Sequence, residues 1–114
     1  MATYQTSEKH SNKAILLQRC AAAIRQIEPG AEIILYGSEA RGEAHIDSDI
    51  DLLVLVQREA TPELKRAISD RIYDLELETD QLVSLVIYQR SAWNSEPLNI
   101  TPLHRAIRRE GVPI

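Results

Sequence analysis

Apolar residues Ala14, Ile15, Leu17, Cys20, Ala21, Ile24 and Ile27 recur every three or four positions through a stretch free of Gly and Pro, which is the period of an amphipathic helix. Pro29-Gly30 ends that pattern. Ala31 to Tyr36 follows, rich in β-branched and aromatic residues and stopped by Gly37, and is expected to be a short, mostly buried strand. A polar stretch from Ser38 to Ser48 leads into Asp49 to Val56, a second strand that becomes apolar on both faces after its first three residues, as a central strand does. Thr61-Pro62 marks a helix start, with Thr61 as cap and Pro62 at the first helical position, and Leu64, Ala67, Ile68, Ile72, Leu75 and Leu77 carry the pattern to about Glu78. Gln81 to Tyr88 is a third strand, and Ser91 to Asn94 a turn of helix before an irregular piece containing Pro97. Pro102 to Glu110 is a last helix, expected to close on a left-handed Gly111 with Pro113 beyond it. The order is α-β-β-α-β-α: an α/β (α+β) chain with a short mixed sheet flanked by helices.

At 114 residues, 44% hydrophobic and 26% charged, the chain has the composition of a folded protein with one core, and residues 1–114 are expected to form a single domain. A chain of this size buries roughly two-thirds of the surface it exposes when unfolded, which favours a surface cleft over a deep enclosed pocket. The single cysteine, Cys20, excludes an internal disulfide, and no cysteine and histidine spacing suggests zinc. No apolar run approaches the roughly 20 residues of a membrane span. The first residues also lack the apolar stretch of a signal peptide, so a cytoplasmic location is expected, with no membrane contact. The net charge of −4 is segregated: residues 31–84 hold thirteen Asp and Glu against five Lys and Arg, whereas the flanking segments each carry four basic and two acidic side chains. Neither flank has the dense basic cluster of a generic nucleic-acid surface.

The acidic centre contains the candidate chemistry. Gly37-Ser38 directly follows a strand, and Asp49-x-Asp51 opens the next one. Side chains two apart on a strand share a face, so Asp49 and Asp51 can converge on one hard cation, and two carboxylates with a few waters suit Mg2+. Gly37 allows a sharp turn with backbone N–H groups close to a phosphate, and Ser38 adds a hydroxyl there. A triphosphate bridging Gly37-Ser38 and a metal on the Asp pair would have its α-phosphorus beside the metal.

The stretch Tyr36 to Val54, with its Gly-Ser, the Ala-Arg-Gly that follows, and Ser48 to Leu52, resembles the signature of the nucleotidyltransferase superfamily that includes DNA polymerase β and the antibiotic nucleotidyltransferases. With its tail from Trp93 to Gly111, the chain resembles the minimal nucleotidyltransferases. The resemblance implies a nucleotidyltransferase fold with a nucleoside triphosphate, ATP by preference, and Mg2+ in a cleft at the strand ends. It implies that Gly37 and Ser38 bind the β- and γ-phosphates, that Arg41 offsets phosphate charge, and that Asp49 and Asp51 are the catalytic metal ligands. The implied activity moves AMP from ATP to a hydroxyl acceptor. Minimal members often pair with a HEPN-domain toxin as its antitoxin and can modify a tyrosine of that toxin; self-association into a homo-oligomer is left open.

The family normally adds a third carboxylate from a later strand. Here Ser84 stands near that position, and Asp80 precedes the strand by too great a distance to replace it if the register is as expected. The alternative is therefore a catalytically silent nucleotide-binding or partner-binding module. His45 lies in the loop between Ser38 and Asp49, and His10 and His104 have no partner at metal or triad spacing. Tyr36 and Tyr88 are expected at the sheet rim, Trp93 as an anchor for the tail, and Arg105, Arg108 and Arg109 as a basic face on the last helix.

Overall fold

A computed structural model of the chain describes residues 2–42 and 49–114, with side chains from Asn12 onward; His45 and Ser48 lie outside the described residues, and the side chain of His10 outside the described side chains. The elements are α1 (Ala2–Ile27), β1 (Glu32–Tyr36), α2 (Ser38–Arg41), β2 (Ile50–Val56), α3 (Pro62–Thr79), β3 (Val83–Gln89), α4 (Arg90–Trp93), a 3-10 turn (Leu98–Ile100), α5 (Pro102–Glu110) and β4 (Val112–Pro113). The four strands form one mixed sheet in the order β3-β2-β1-β4, with β2 parallel to β3 and antiparallel to β1, and β4 antiparallel to β1. A parallel β2–β3 pair requires a crossover, which α3 supplies. No helix among the described residues is long and apolar enough to cross a membrane.

β2 is apolar on both faces because both faces are covered. Ile50, Leu52, Val54 and Val56 pack with α1 and α3, while Leu53 and Leu55 meet Trp93, Ile107 and the partly buried Tyr36 and Tyr88 on the other side. Trp93 anchors the tail as expected, its ring 5.6 Å from that of Tyr88 and 4.5 Å from that of His104. Thr61 caps α3 by accepting the Leu64 N–H at 3.1 Å. Leu52→Ala, at a fully buried central position, should destabilise the fold by about 3–5 kcal/mol, measured by urea unfolding.

The apolar period of α1 holds from Leu17 onward: Cys20, Ala21 and Ile24 are buried, Leu17 and Ile27 pack against the core, and Leu16 and Ala23 join them, whereas Ala14 and Ile15 at the start of the pattern are exposed. Lys13 is buried as well, in an ion pair with Glu39. In α3, Ala67 and Leu77 are exposed, on the outer side of the Leu64–Ile68–Ile72–Leu75 stripe. Gly111 is not left-handed: at φ −66°, ψ 142° it is extended, because the chain continues at once into β4, where Val112 pairs with Leu35. It is still a crowded position, since a Cβ there would lie 2.6 Å from the Ile107 carbonyl oxygen.

Cys20 is buried in the helix–sheet core, and burial pushes its thiol up to about 11. A folded value above the unfolded one means that the thiol's contribution to stability is complete below the unfolded value and is lost as pH rises through about 11. Iodoacetamide at pH 8 should therefore label Cys20 at least about a hundredfold more slowly in the native protein than in urea. Equal rates would contradict the burial.

Candidate active site

The antiparallel register places Tyr36 opposite Asp51, so the chain leaves β1 at Gly37 directly beside that carboxylate. Gly37 has φ 78° and ψ −158°, and a Cβ on it would stand 2.5 Å from Asp51 Oδ2 and 3.3 Å from Cγ. Glycine is needed here twice over, for a positive φ and for the space the Asp51 side chain occupies. Ser38 then opens the single turn of α2, in which the Arg41 N–H donates to the Gly37 carbonyl at 3.1 Å and a left-handed Gly42 (φ 73°) closes the turn.

Among the described residues, two ion pairs hold this turn. Lys13 Nζ donates to Glu39 Oε2 at 3.0 Å, with side-chain exposures of only 7% and 14%, which fastens α2 to α1. On the other side Arg41 Nη1 donates to Glu110 Oε2 at 2.9 Å, linking the turn to α5. A buried pair of the first kind locks geometry more than it adds stability, and losing one partner would strand a charge.

Asp51 has the same strand parity as Leu53 and Leu55, so its side chain emerges on the Tyr36 and Tyr88 face, and Asp49 immediately precedes the strand. Burial raises the Asp51 carboxyl above its usual range, the Asp49 charge raises it further, and Arg41 opposes both. The two carboxylates therefore interact with each other, and the Arg41 guanidinium is close enough to be felt. The same surroundings raise the Tyr36 phenol, through burial first and then Asp51 and Tyr88. On the neighbouring strand, Ser84 is the register partner of Asp51, in the position expected of a third carboxylate, with only a hydroxyl to offer. Asp80 is not on that strand: it is the left-handed cap of α3, and β3 begins at Val83.

Among the described residues no group of three or more His, Cys, Asp or Glu is arranged to hold a metal. The donor set at the strand ends is Asp49, Asp51 and the Ser84 hydroxyl. Mutually repelling carboxylates with all-oxygen chemistry suit a hard divalent cation that keeps several waters, and a cation there would relieve the repulsion that raises Asp51. The structure thus brings Gly37, Ser38, Arg41, Asp49 and Asp51 to one end of the sheet. Lys13 and Glu110 were not visible from the sequence as site neighbours; only their long-range ion pairs with Glu39 and Arg41 reveal them, and no local pattern signals these.

Residues 17–110 match the nucleotidyltransferase domain family. Over 59 residues the chain is 37% identical to a protein of Methanocaldococcus jannaschii named "Putative protein adenylyltransferase"; the match covers 52% of this chain and 60% of that protein, so it spans less than two thirds of the relative's length. A chain from a crystal structure of a toxin-antitoxin with AMP-PNP shares the fold, with a TM-score of 0.56 and 23% identity over 82% of this chain and 67% of that one. The matched span contains β1, the glycine turn, both aspartates and the crossover to β3, and with those elements in place the chain belongs to the nucleotidyltransferase domain family and fits its minimal type.

Proposed function

We propose that residues 1–114 act as one magnesium-dependent nucleotidyltransferase unit that transfers AMP from ATP to a hydroxyl of a protein acceptor. The observation that carries this reading is the placement of Asp51 at the start of β2 against the Gly37 turn, with Asp49 just before the strand. The choice of AMP is supported by the adenylyltransferase name of the relative in Methanocaldococcus jannaschii.

Asp49 and Asp51 would hold Mg2+, which when bound offsets charge on the transferring phosphoryl group and on pyrophosphate. Gly37 presents backbone to the β- and γ-phosphates without a side chain in the way, and Ser38 adds a hydroxyl donor. Arg41, kept near Asp51 by Glu110, contributes positive charge toward the same phosphates. The acceptor oxygen attacks the α-phosphorus, the bond from that phosphorus to the bridging oxygen breaks, pyrophosphate leaves, and the hydroxyl proton passes to solvent. The acceptor is a HEPN-type toxin that this chain restrains as antitoxin, an assignment that rests on the family resemblance and fits the toxin-antitoxin origin of the structural neighbour.

Ser84 favours a second reading, a nucleotide-binding module without transfer, because the register sets a hydroxyl where a third carboxylate would complete the cation site. Ser84→Asp separates the two. For a working transferase it should lower the magnesium concentration needed for half-maximal transfer by about tenfold, followed with labelled ATP. Transfer seen only in Ser84→Asp and absent from the wild type would establish the silent module instead.

A further inference from the structure

Asp49 belongs to two places at once. Besides adjoining Asp51, it lines a cleft of about 450 Å3 with Tyr73, Glu76, Leu77, Asp80, Gln81 and Leu82. The cleft forms where α3 ends and β3 begins, and the Ile50 N–H, next to Asp49, donates to the Leu82 carbonyl at 3.0 Å. Its walls have an unusual combination of properties. Tyr73, Leu77 and Leu82 are 57%, 66% and 61% exposed, so large apolar side chains gather at one surface site instead of being scattered. Asp49, Glu76 and Asp80 contribute carboxylates to the same walls, and among the described residues no Lys or Arg lines them.

The charges sit where helix stability would not put them. The last turn of α3 has no basic residue, although a helix C-terminus carries partial negative charge and favours cations. Instead Glu76 lies in that turn, with its Oε2 accepting the Val83 N–H at 2.8 Å, and Asp80 caps it in a left-handed conformation (φ 57°) with its N–H donating to the Glu76 carbonyl. Glu78, in the same turn, is turned away and engaged with Arg19. The cleft thus carries negative charge from Asp49, Glu76, Asp80 and the helix end together, beside the exposed apolar side chains of Tyr73, Leu77 and Leu82.

We propose that this cleft is the acceptor subsite and that it takes a basic, partly apolar polypeptide segment whose hydroxyl residue then reaches the Asp49 and Asp51 end of β2. The proposal rests on the transferase reading and adds the chemical class of the acceptor. Charge complementarity selects it: arginine or lysine flanking the acceptor would meet the carboxylates of Glu76 and Asp80, with Asp49 left to the cation, and an apolar neighbour would cover Leu77 and Leu82. A nucleic-acid acceptor would bring phosphates against the same carboxylates, which costs binding.

The test is fluorescence anisotropy of the full chain with a labelled ten-residue peptide of one tyrosine flanked by leucine and arginines, beside a counterpart with glutamates for arginines and a short single-stranded oligoribonucleotide. Asp80→Asn keeps the left-handed preference, and Leu77→Ser changes only an exposed side chain, so the double variant should fold, as circular dichroism will verify. The basic peptide should bind, the other two should not, and Asp80→Asn/Leu77→Ser should weaken the basic peptide by about tenfold while leaving ATP affinity unchanged. No binding of the basic peptide, equal binding of the acidic peptide or the oligoribonucleotide, or unaltered binding by the double variant would each overturn the proposal. Labelled-AMP transfer is read separately: peptide bound in the cleft with nothing transferred would leave the subsite standing and sink the transferase reading.

Discussion

Asp51→Asn should reduce nucleotide transfer by at least about a hundredfold while leaving the protein as stable as the wild type or slightly more so. The asparagine side chain is isosteric and keeps the fit against Gly37, so the turn and the sheet register should survive. What disappears is the charge. In the wild type that charge is costly to the fold, because burial and the neighbouring Asp49 raise the Asp51 carboxyl above its usual range. A carboxyl raised in the folded state favours folding at pH values below its unfolded value, and that advantage is lost as pH rises through the folded value, so near neutrality the ionised group opposes stability. Removing it should therefore relieve the fold and disable the cation site together, the pattern expected where a group is kept for chemistry. Thermal unfolding and a labelled-ATP transfer assay on one preparation check both halves. A variant that is inactive because it has melted would not support the account.

Gly37→Val should have the second large effect, of a different kind. The valine would have to adopt φ 78° with a Cβ placed 2.5 Å from Asp51 Oδ2, so either the backbone turns out of the left-handed region or the carboxylate moves. A β-branched residue held at positive φ costs roughly 1–3 kcal/mol, and relieving the clash displaces the group proposed to hold the metal. Stability should fall by about that amount in urea unfolding, and triphosphate affinity should fall at least about tenfold, by calorimetric titration. Full-strength ATP binding by Gly37→Val would refute the phosphate-binding role of the turn.

The parts of the fold visible in the sequence are those that a period or a punctuation mark records. β2 shows its central place through five consecutive apolar residues from Leu52 to Val56, all of them buried, and α3 shows its start through Thr61-Pro62. β4 could not be read, because a two-residue strand has no period; it exists through pairing of Ile34 and Leu35 with Pro113 and Val112. The same pairing explains why Gly111 is extended, against the helix-stop rule. The burial of Lys13 on α1 could not be read, because an apolar pattern treats lysine as an outward residue and its partner Glu39 is 26 positions away.

The candidate site divides in the same way. Gly37-Ser38 and Asp49-x-Asp51 are contiguous patterns whose spacing makes them legible as candidates, and the register partner of Asp51 is Ser84, the residue that the family resemblance set near the third-carboxylate position. Glu76, Leu77 and Asp80 gave no such signal. In the sequence they are the tail of a helix, and only the parallel crossover to β3 brings them beside Asp49.

The most direct test of the central claim is intact-protein mass spectrometry of this protein together with whatever co-purifies with it, after incubation with magnesium and ATP, comparing wild type with Asp49→Asn/Asp51→Asn. A mass gain of one AMP on the partner, present with the wild type and absent with the double variant, is the predicted result. No gain on any protein, with ATP binding confirmed in the same sample, would contradict the transferase account and leave a nucleotide-binding module in its place.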